Sequence, residues 1–234
     1  MLISAFSDLD RIGIEELEKA IKTAKKPDLL LLAGDISYMM DSDQTKKYQH
    51  LIDVLDKNNW NCPVVAVFGN HEAGRDNENE IIEKFQGRIF FLRDQAVSVT
   101  IKGKTVGIVG SIGILDSPTM WESGGIVGMV DEYGDRIEKL NKLLKNLKDD
   151  IKILLTHYAP TYKTLEGEPE DLWQVMGTTI LETIMKKNNT TFAVHGHAHY
   201  GTPLAVVEGI PILNVAFEAN KMKIVEIDTD NLPK

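Results

Sequence analysis

Apolar residues in the first half of the chain follow two alternating spacings. The unbroken runs Leu2–Phe6, Leu29–Ala33 and Val64–Phe68 have the length of buried strands. Between them Ile12, Leu17, Ala20, Ile21 and Ala24, and then Tyr48, Leu51, Ile52 and Leu55, recur at helical spacing among charged residues. Pro27 stops the first of these helices and Pro63 precedes the third run. Strands separated by helices imply βαβ crossovers and a largely parallel sheet.

The pattern changes at Ala96. Val97–Ile101, the turn Lys102-Gly103-Lys104 and Val106–Val109 read as an antiparallel hairpin. The Gly-rich stretch from Ser111 to Gly134 has too little periodicity to predict an element. Ile137, Leu140, Leu143, Leu144 and Leu147 then mark an amphipathic helix, and Ile151–Leu155 a strand. A polar loop is expected from Tyr158 to Trp173, a helix over Thr178–Lys187 and a strand over Thr191–Val194. Short strands close the chain at Leu204–Val207, Ile210–Val215 and Met222–Ile227. No repeat or low-complexity linker interrupts this order, so residues 1–234 read as one α/β domain with two sheets.

Composition narrows the function classes. Lys and Arg number 26 against 35 Asp and Glu, a net charge of −9, which disfavours broad binding to nucleic acid because displacing phosphate counterions needs a basic surface. No apolar run approaches the roughly 20 residues needed to cross a bilayer. The single cysteine, Cys62, excludes an internal disulfide framework and a Cys-based zinc site. The N-terminal segment lacks a basic n-region and meets Asp8 early, so it does not read as a signal peptide. A reduced, cytoplasmic setting is the expectation.

The chemistry gathers where the strands end. Asp8 and Asp10 follow the first run, Gly34-Asp35-Ile36-Ser37-Tyr38 the second and Gly69-Asn70-His71-Glu72 the third; Thr156-His157 and His195-Gly196-His197-Ala198-His199 follow two later strands. Ligands of open α/β sheets bind beyond the carboxyl ends of the strands, and five strands deliver Asp, Asn or His to that edge. The donors are all O and N, which suits manganese, iron or zinc and leaves room for two ions. Two such ions can share a carboxylate, activate a water and clamp a phosphoryl group. A lone Asp or His after a strand is usually a turn residue or cap. That reading fails for the set, since a metal-free interior would not hold several carboxylates and imidazoles together cheaply.

These segments resemble the calcineurin-like metallophosphoesterase family through Asp8, Gly34-Asp35, Gly69-Asn70-His71-Glu72, His157 and Gly196-His197-Ala198-His199. The resemblance implies a four-layer αββα sandwich, an α/β (α+β) fold of two mixed β-sheets flanked by helices. It also implies a phosphoesterase acting on phosphomonoesters or phosphodiesters by metal-activated hydroxide attack. Asp8, bridging Asp35 and His199 would hold metal 1, and Asp35, Asn70, His157 and His197 metal 2. His71, which binds no metal in the family, would assist departure of the leaving oxygen, and Glu72 could orient its ring.

Two positions depart from the commonest family pattern. Asp10 stands where most members have histidine, and Tyr38 where many have an acid. Gly-Asp-x-x-Tyr is similar to the purple acid phosphatases, where a tyrosinate binds ferric iron. Asp8, Asp10, Asp35 and a Tyr38 tyrosinate would together favour one trivalent plus one divalent ion over two divalent ones. Alternatively, Asp10 alone replaces the histidine and Tyr38 is a packed aromatic.

Other residues read more simply. His50 belongs to a solvated helix face, His195 to packing or support of the ligands rather than ligation, and Cys62 to a small apolar filler. The Gly-rich stretch, with Met120, Trp121 and Tyr133, and the Tyr158–Trp173 loop are expected to choose the substrate. The apolar residues of the former could equally form a homo-oligomer contact. The expected partner is a small phosphoester, including nucleotides. A nuclease, or an interaction scaffold with a weakened metal site as in a retromer subunit of this fold, stands as the alternative.

Overall fold

The computed structural model describes residues 1–10, 12–41, 43–74, 78–117 and 126–233. Met120 and Trp121 lie outside them. In chain order the strands are β1 (Leu2–Phe6), β2 (Leu29–Ala33), β3 (Val64–Val67), β4 (Phe90–Phe91), β5 (Gln95–Ile101), β6 (Lys104–Ser111), β7 (Ile151–Thr156), β8 (Phe192–His195), β9 (Leu204–Val207), β10 (Ile210–Asn214) and β11 (Val225–Asp228). The helices are α1 (Ile14–Thr23), α2 (Gln44–Lys57), α3 (Glu78–Phe85), α4 (Ile126–Asn146) and α5 (Ile180–Lys187), with a 3₁₀ helix over Glu170–Val175.

The strands form two mixed sheets, in the orders β11-β1-β2-β3-β4 and β5-β6-β7-β8-β10-β9. In each sheet one contiguous block is parallel, β1 to β4 in the first, with β4 at its edge, and β6, β7, β8 and β10 in the second, while β11, β5 and β9 join antiparallel at the remaining edges. Alternation along the strands sends side chains to opposite faces. From β2, Leu30 and Leu32 pack with Leu17, Ile21, Leu51 and Ile81 of the first three helices. Leu29, Leu31 and Ala33 face the other way, onto Ile153, Leu155, Phe192 and Val194 of the second sheet. The far side of that sheet, Val109, Leu154, Ala193 and Ile212, is covered by Leu140 and Leu144 of α4 and Leu181 and Met185 of α5. Helices, sheet, sheet and helices therefore stack as the expected αββα sandwich, with an apolar core at each junction.

Three features differ from the periodicity reading. α3 holds its place through Ile81 and Phe85, too few buried positions to register as a period. β4 is two residues long and exists by pairing with Val65 and Ala66. α4 begins inside the Gly-rich stretch: Gly128 and Gly134 lower its intrinsic helix propensity, and packing of Tyr133, Leu140 and Leu144 on the second sheet overrides that.

The sheets meet where the chemistry lies. Just past β1, Ser7 N donates to Val215 O at 3.1 Å and Phe217 N to Ser7 O at 3.2 Å, while Val215 N donates to His195 O at 2.7 Å. These bonds tie the carboxyl ends of β1, β8 and β10 into one edge.

Candidate metal centre

The strands end abruptly at this edge because three of the expected ligands adopt left-handed backbone: Asp8 at φ 60°, Asp35 at φ 50° and His197 at φ 68°. This region is costly for residues with a Cβ and concentrates at functional sites. It stops strand pairing and swings the side chains over the sheet ends. The loops also touch closely. A Cβ on Gly34, itself at φ 89°, would lie 2.5 Å from Gly69 N and 2.8 Å from His157 Nδ1, and one on Gly69 would overlap the Asp35 carboxylate.

Asp35, His157 and His197 converge, with one donor atom from each lying within 4.8 Å of the others. Nδ1 of His157 donates to Ala33 O at 2.8 Å, which leaves Nε2 facing Asn70 Oδ1 at 2.9 Å and Asp35 Oδ2 at 3.4 Å. Lone-pair donors aimed at one another need a cation among them, a proton or a metal ion. Burial alone would lower the His157 pKa, but the Asp35 charge and hydrogen bond push it up to about 9. Burial would likewise raise Asp35, whose carboxyl is held well below the usual range by the charge and hydrogen bond of His157 and by His71. His197 is held well below its ordinary value by burial and by the neighbouring His157, which keeps its lone pair available.

Asp8 lies beside this group. Its carboxylate accepts from His197 N at 3.0 Å and from the Ser7 hydroxyl, and its Oδ1 is 3.5 Å from His199 Nε2. Burial pushes Asp8 up to about 6 against the pull of His157 and His199. Among the described residues no Lys or Arg forms an ion pair with Asp8 or Asp35. Buried carboxylates whose ion-pair partners among the described residues are imidazoles form an environment that a bound cation would complete. The donors fit two hard-to-borderline ions: Asp35, Asn70, His157 and His197 could hold one, Asp8, Asp35 and His199 the other.

His71 sits at the mouth, about a tenth exposed. Its backbone N donates to Asp35 Oδ1 at 2.9 Å, and Gln44 Nε2 donates to its carbonyl at 2.9 Å. Nδ1 lies 3.0 Å from Asp10 Oδ2 and 3.6 Å from Asp35 Oδ2. Burial pulls the ring's pKa down, but the Asp10 contact and the Asp35 charge outweigh it, and the pKa is raised. Tyr38 stands edge-on to this ring, centroids 5.1 Å apart at 85°. The carboxylate beside His71 is thus Asp10, expected on metal 1, and Glu72 is directed elsewhere. Glu72 Oε1 accepts from Ile36 N, Ser37 N and Tyr48 OH, each at 2.9 Å, and from Ser37 Oγ at 3.2 Å; Oε2 accepts from Gly69 N at 3.2 Å. It clamps the Asp35 loop to the Asn70 loop from beneath.

His195 ends β8, and its Nδ1 donates to Gly196 O while Nε2 accepts from Thr164 Oγ1, both at 2.8 Å. Burial lowers its pKa to about 4, so it is a neutral packed imidazole. His50 is exposed on α2, and Cys62 is a free thiol packed against the first core. The loop expected as a polar stretch from Tyr158 to Trp173 carries a small core of its own. Leu165 and Met176 pack with Ala159 and with Ala198, the residue between His197 and His199, so the loop supports the histidine turn.

Two residues escaped the motif reading. Glu218 Oε2 accepts from Nδ1 of His199 at 2.7 Å. Asn214 donates through Nδ2 to Ala198 O at 2.7 Å and accepts on Oδ1 from Ala216 N at 3.1 Å. No spacing in the sequence marks either one, because each meets the site only when β10 is laid beside β8.

Comparison with known proteins bears on the family and the fold. The family model described as calcineurin-like phosphoesterase matches residues 1–201. A probable glycerophosphodiester phosphodiesterase of Arcobacter nitrofigilis is 25% identical over 174 residues, 74% of this chain and 57% of that protein. The chain thus spans little more than half the length of that curated relative. Among solved structures, a phosphopantetheinyl hydrolase of Mycobacterium tuberculosis superposes with a TM-score of 0.69 at 17% identity, over 99% of this chain and 98% of the other. The protein TT1561 of Thermus thermophilus gives 0.62 at 16% identity, over 97% and 98%. These two likenesses concern the fold.

Proposed function

The chain belongs to the calcineurin-like phosphoesterase family, and from that premise we propose that it is a dinuclear metal-dependent phosphoesterase acting on small phosphomonoesters or phosphodiesters. The observation that carries this reading is the mutual approach of His157 Nε2, Asn70 Oδ1 and Asp35 Oδ2, with His197 in the same cluster and the Asp8–His199 pair beside it. A diester substrate is supported by the named activity of the Arcobacter relative.

Asp35 would be shared between the two sites, with Asn70, His157 and His197 holding one ion and Asp8 and His199 the other. Bound there, manganese, iron or zinc would supply Lewis acidity toward phosphate oxygens and lower the pKa of water. The chain's own residues orient the ester. With Nδ1 turned to Asp10, His71 has Nε2 left to donate a proton to the departing oxygen, the part of a general acid. Asp10 holds that ring, and Tyr38 packs against its edge. The Glu72 clamp keeps the Asp35 and His71 loops at a fixed separation.

The test is elemental analysis of protein expressed with manganese, iron and zinc available, with hydrolysis of a chromogenic monoester and diester measured alongside. About two metal ions per chain is the expected content, with hydrolysis that a chelator abolishes and metal restores. Asn70→Ala should remove hydrolysis while the fold is retained. A metal-free, inert wild type would overturn the enzyme reading in favour of an interaction module.

A further inference from the structure

On the reading that metal ions bind at this edge, we propose that Glu218 is a positioning residue for His199, holding its imidazole with Nδ1 protonated so that Nε2 presents its lone pair beside Asp8. The ring spans the two carboxylates, Nδ1 at 2.7 Å from Glu218 Oε2 and Nε2 at 3.5 Å from Asp8 Oδ1. A neutral imidazole carries one ring proton, and the hydrogen bond at one nitrogen decides which atom is free to ligate. Glu218 supplies that bond from the side away from Asp8. It therefore sets both tautomer and ring angle, the outer support that metal-binding histidines usually require.

Glu218 is itself held in place. It sits in a turn after β10 where Lys221 N donates to Glu218 O at 2.9 Å and Met222 N to Phe217 O at 2.8 Å. Lys221 and Met222 both have left-handed backbone, and Phe217 is fully buried. Asn220 Nδ2 donates to Asn214 O at 2.8 Å and Ala216 O at 2.9 Å, and Asn214 reaches the histidine turn through Ala198 O. One network thus fixes the Glu218 backbone relative to the backbone beside His199. A casual surface pair would join two freely moving side chains. Here both partners are largely shielded, at 17% and 29% side-chain exposure, and both belong to braced turns.

The experiment compares wild type, Glu218→Ala and Glu218→Gln. Metal-free protein is titrated with manganese or zinc against a competing chelator, its histidine tautomers are read by nitrogen-15 NMR, and its melting temperature is measured. Glu218→Ala should weaken one of the two metal affinities about 10–100-fold, leave the other unchanged, and lose the Nδ1–H tautomer at His199. Its metal-free melting temperature should stay near wild type. Glu218→Gln, whose amide oxygen still accepts from Nδ1, should recover most of the affinity. Wild-type affinities in Glu218→Ala, or equal loss at both sites with a large fall in melting temperature, would overturn the positioning role. If wild type binds two ions and hydrolyses esters while Glu218→Ala matches it, only this inference fails. A wild type that takes up no metal overturns the function reading as well.

Discussion

Glu72 offers the sharpest separation between bracing the site and acting in it. Its carboxylate is fully buried and accepts from five donors: the backbone N–H groups of Ile36, Ser37 and Gly69 and the hydroxyls of Ser37 and Tyr48. A buried donor left without a partner costs about 1–3 kcal/mol. Truncation in Glu72→Ala strands all five, and water admitted to the gap would recover part of the loss, so a net penalty of about 4–6 kcal/mol is expected. In a chain of 234 residues, each kcal/mol shifts the melting temperature by about 2–4 °C. The fall should be on the order of 10–20 °C. Glu72→Gln keeps Oε1 and its four donors but turns an amide N–H₂ toward Gly69 N, a loss of about 1–3 kcal/mol. Thermal unfolding should be followed with a chelator present, so that weakened metal binding does not enter the comparison. The reasoning is refuted if Glu72→Ala melts with the wild type and its only defect is a lower kcat, the signature of a group acting on His71.

Three further outcomes follow from the same geometry. Gly34→Ala should cost about 1–3 kcal/mol or more in stability, because its φ of 89° and the Gly69 N and His157 contacts leave no room for a methyl group; denaturant unfolding with unchanged m-value and lowered midpoint would show it. Asp10→Asn should lower kcat about 10–100-fold, part of what a positioned general acid contributes, while metal content by elemental analysis stays at the wild-type value. Loss of one ion would return Asp10 to the ligand set. Tyr38→Phe keeps the edge contact with the His71 ring and should leave metal content and kcat within a few-fold of wild type. A purple wild type bleached by this substitution would put the phenolate on ferric iron instead.

The candidate donors were legible because of where they stand in the chain. Parallel strands buried on both faces are written as apolar runs, and Asp8, Asp35, Asn70, His157 and His197 each come within a few residues of such a run. The two-sheet α/β pattern followed from the same alternation, since every helix between parallel strands must cover one face of a sheet, while the αββα layering was what the family resemblance implied. Weakly patterned pieces were not legible. α3 buries few apolar residues, β4 is defined by its partner, and α4 forms through Gly128 and Gly134 because packing outweighs propensity. The supporting contacts were invisible for a related reason. That Asp10 meets His71, that Glu72 clamps two loops beneath the site and that Glu218 takes Nδ1 of His199 depend on which way short side chains point after a left-handed turn. The sequence alone determined the alternation of strands and helices, the two-sheet α/β pattern and the donors offered at the edge, because local periodicity and strand ends encode them. Only the tertiary structure decided how those donors are divided and braced, because contacts between residues as distant as Asp8 and His199 form when two separate sheets are joined at one edge.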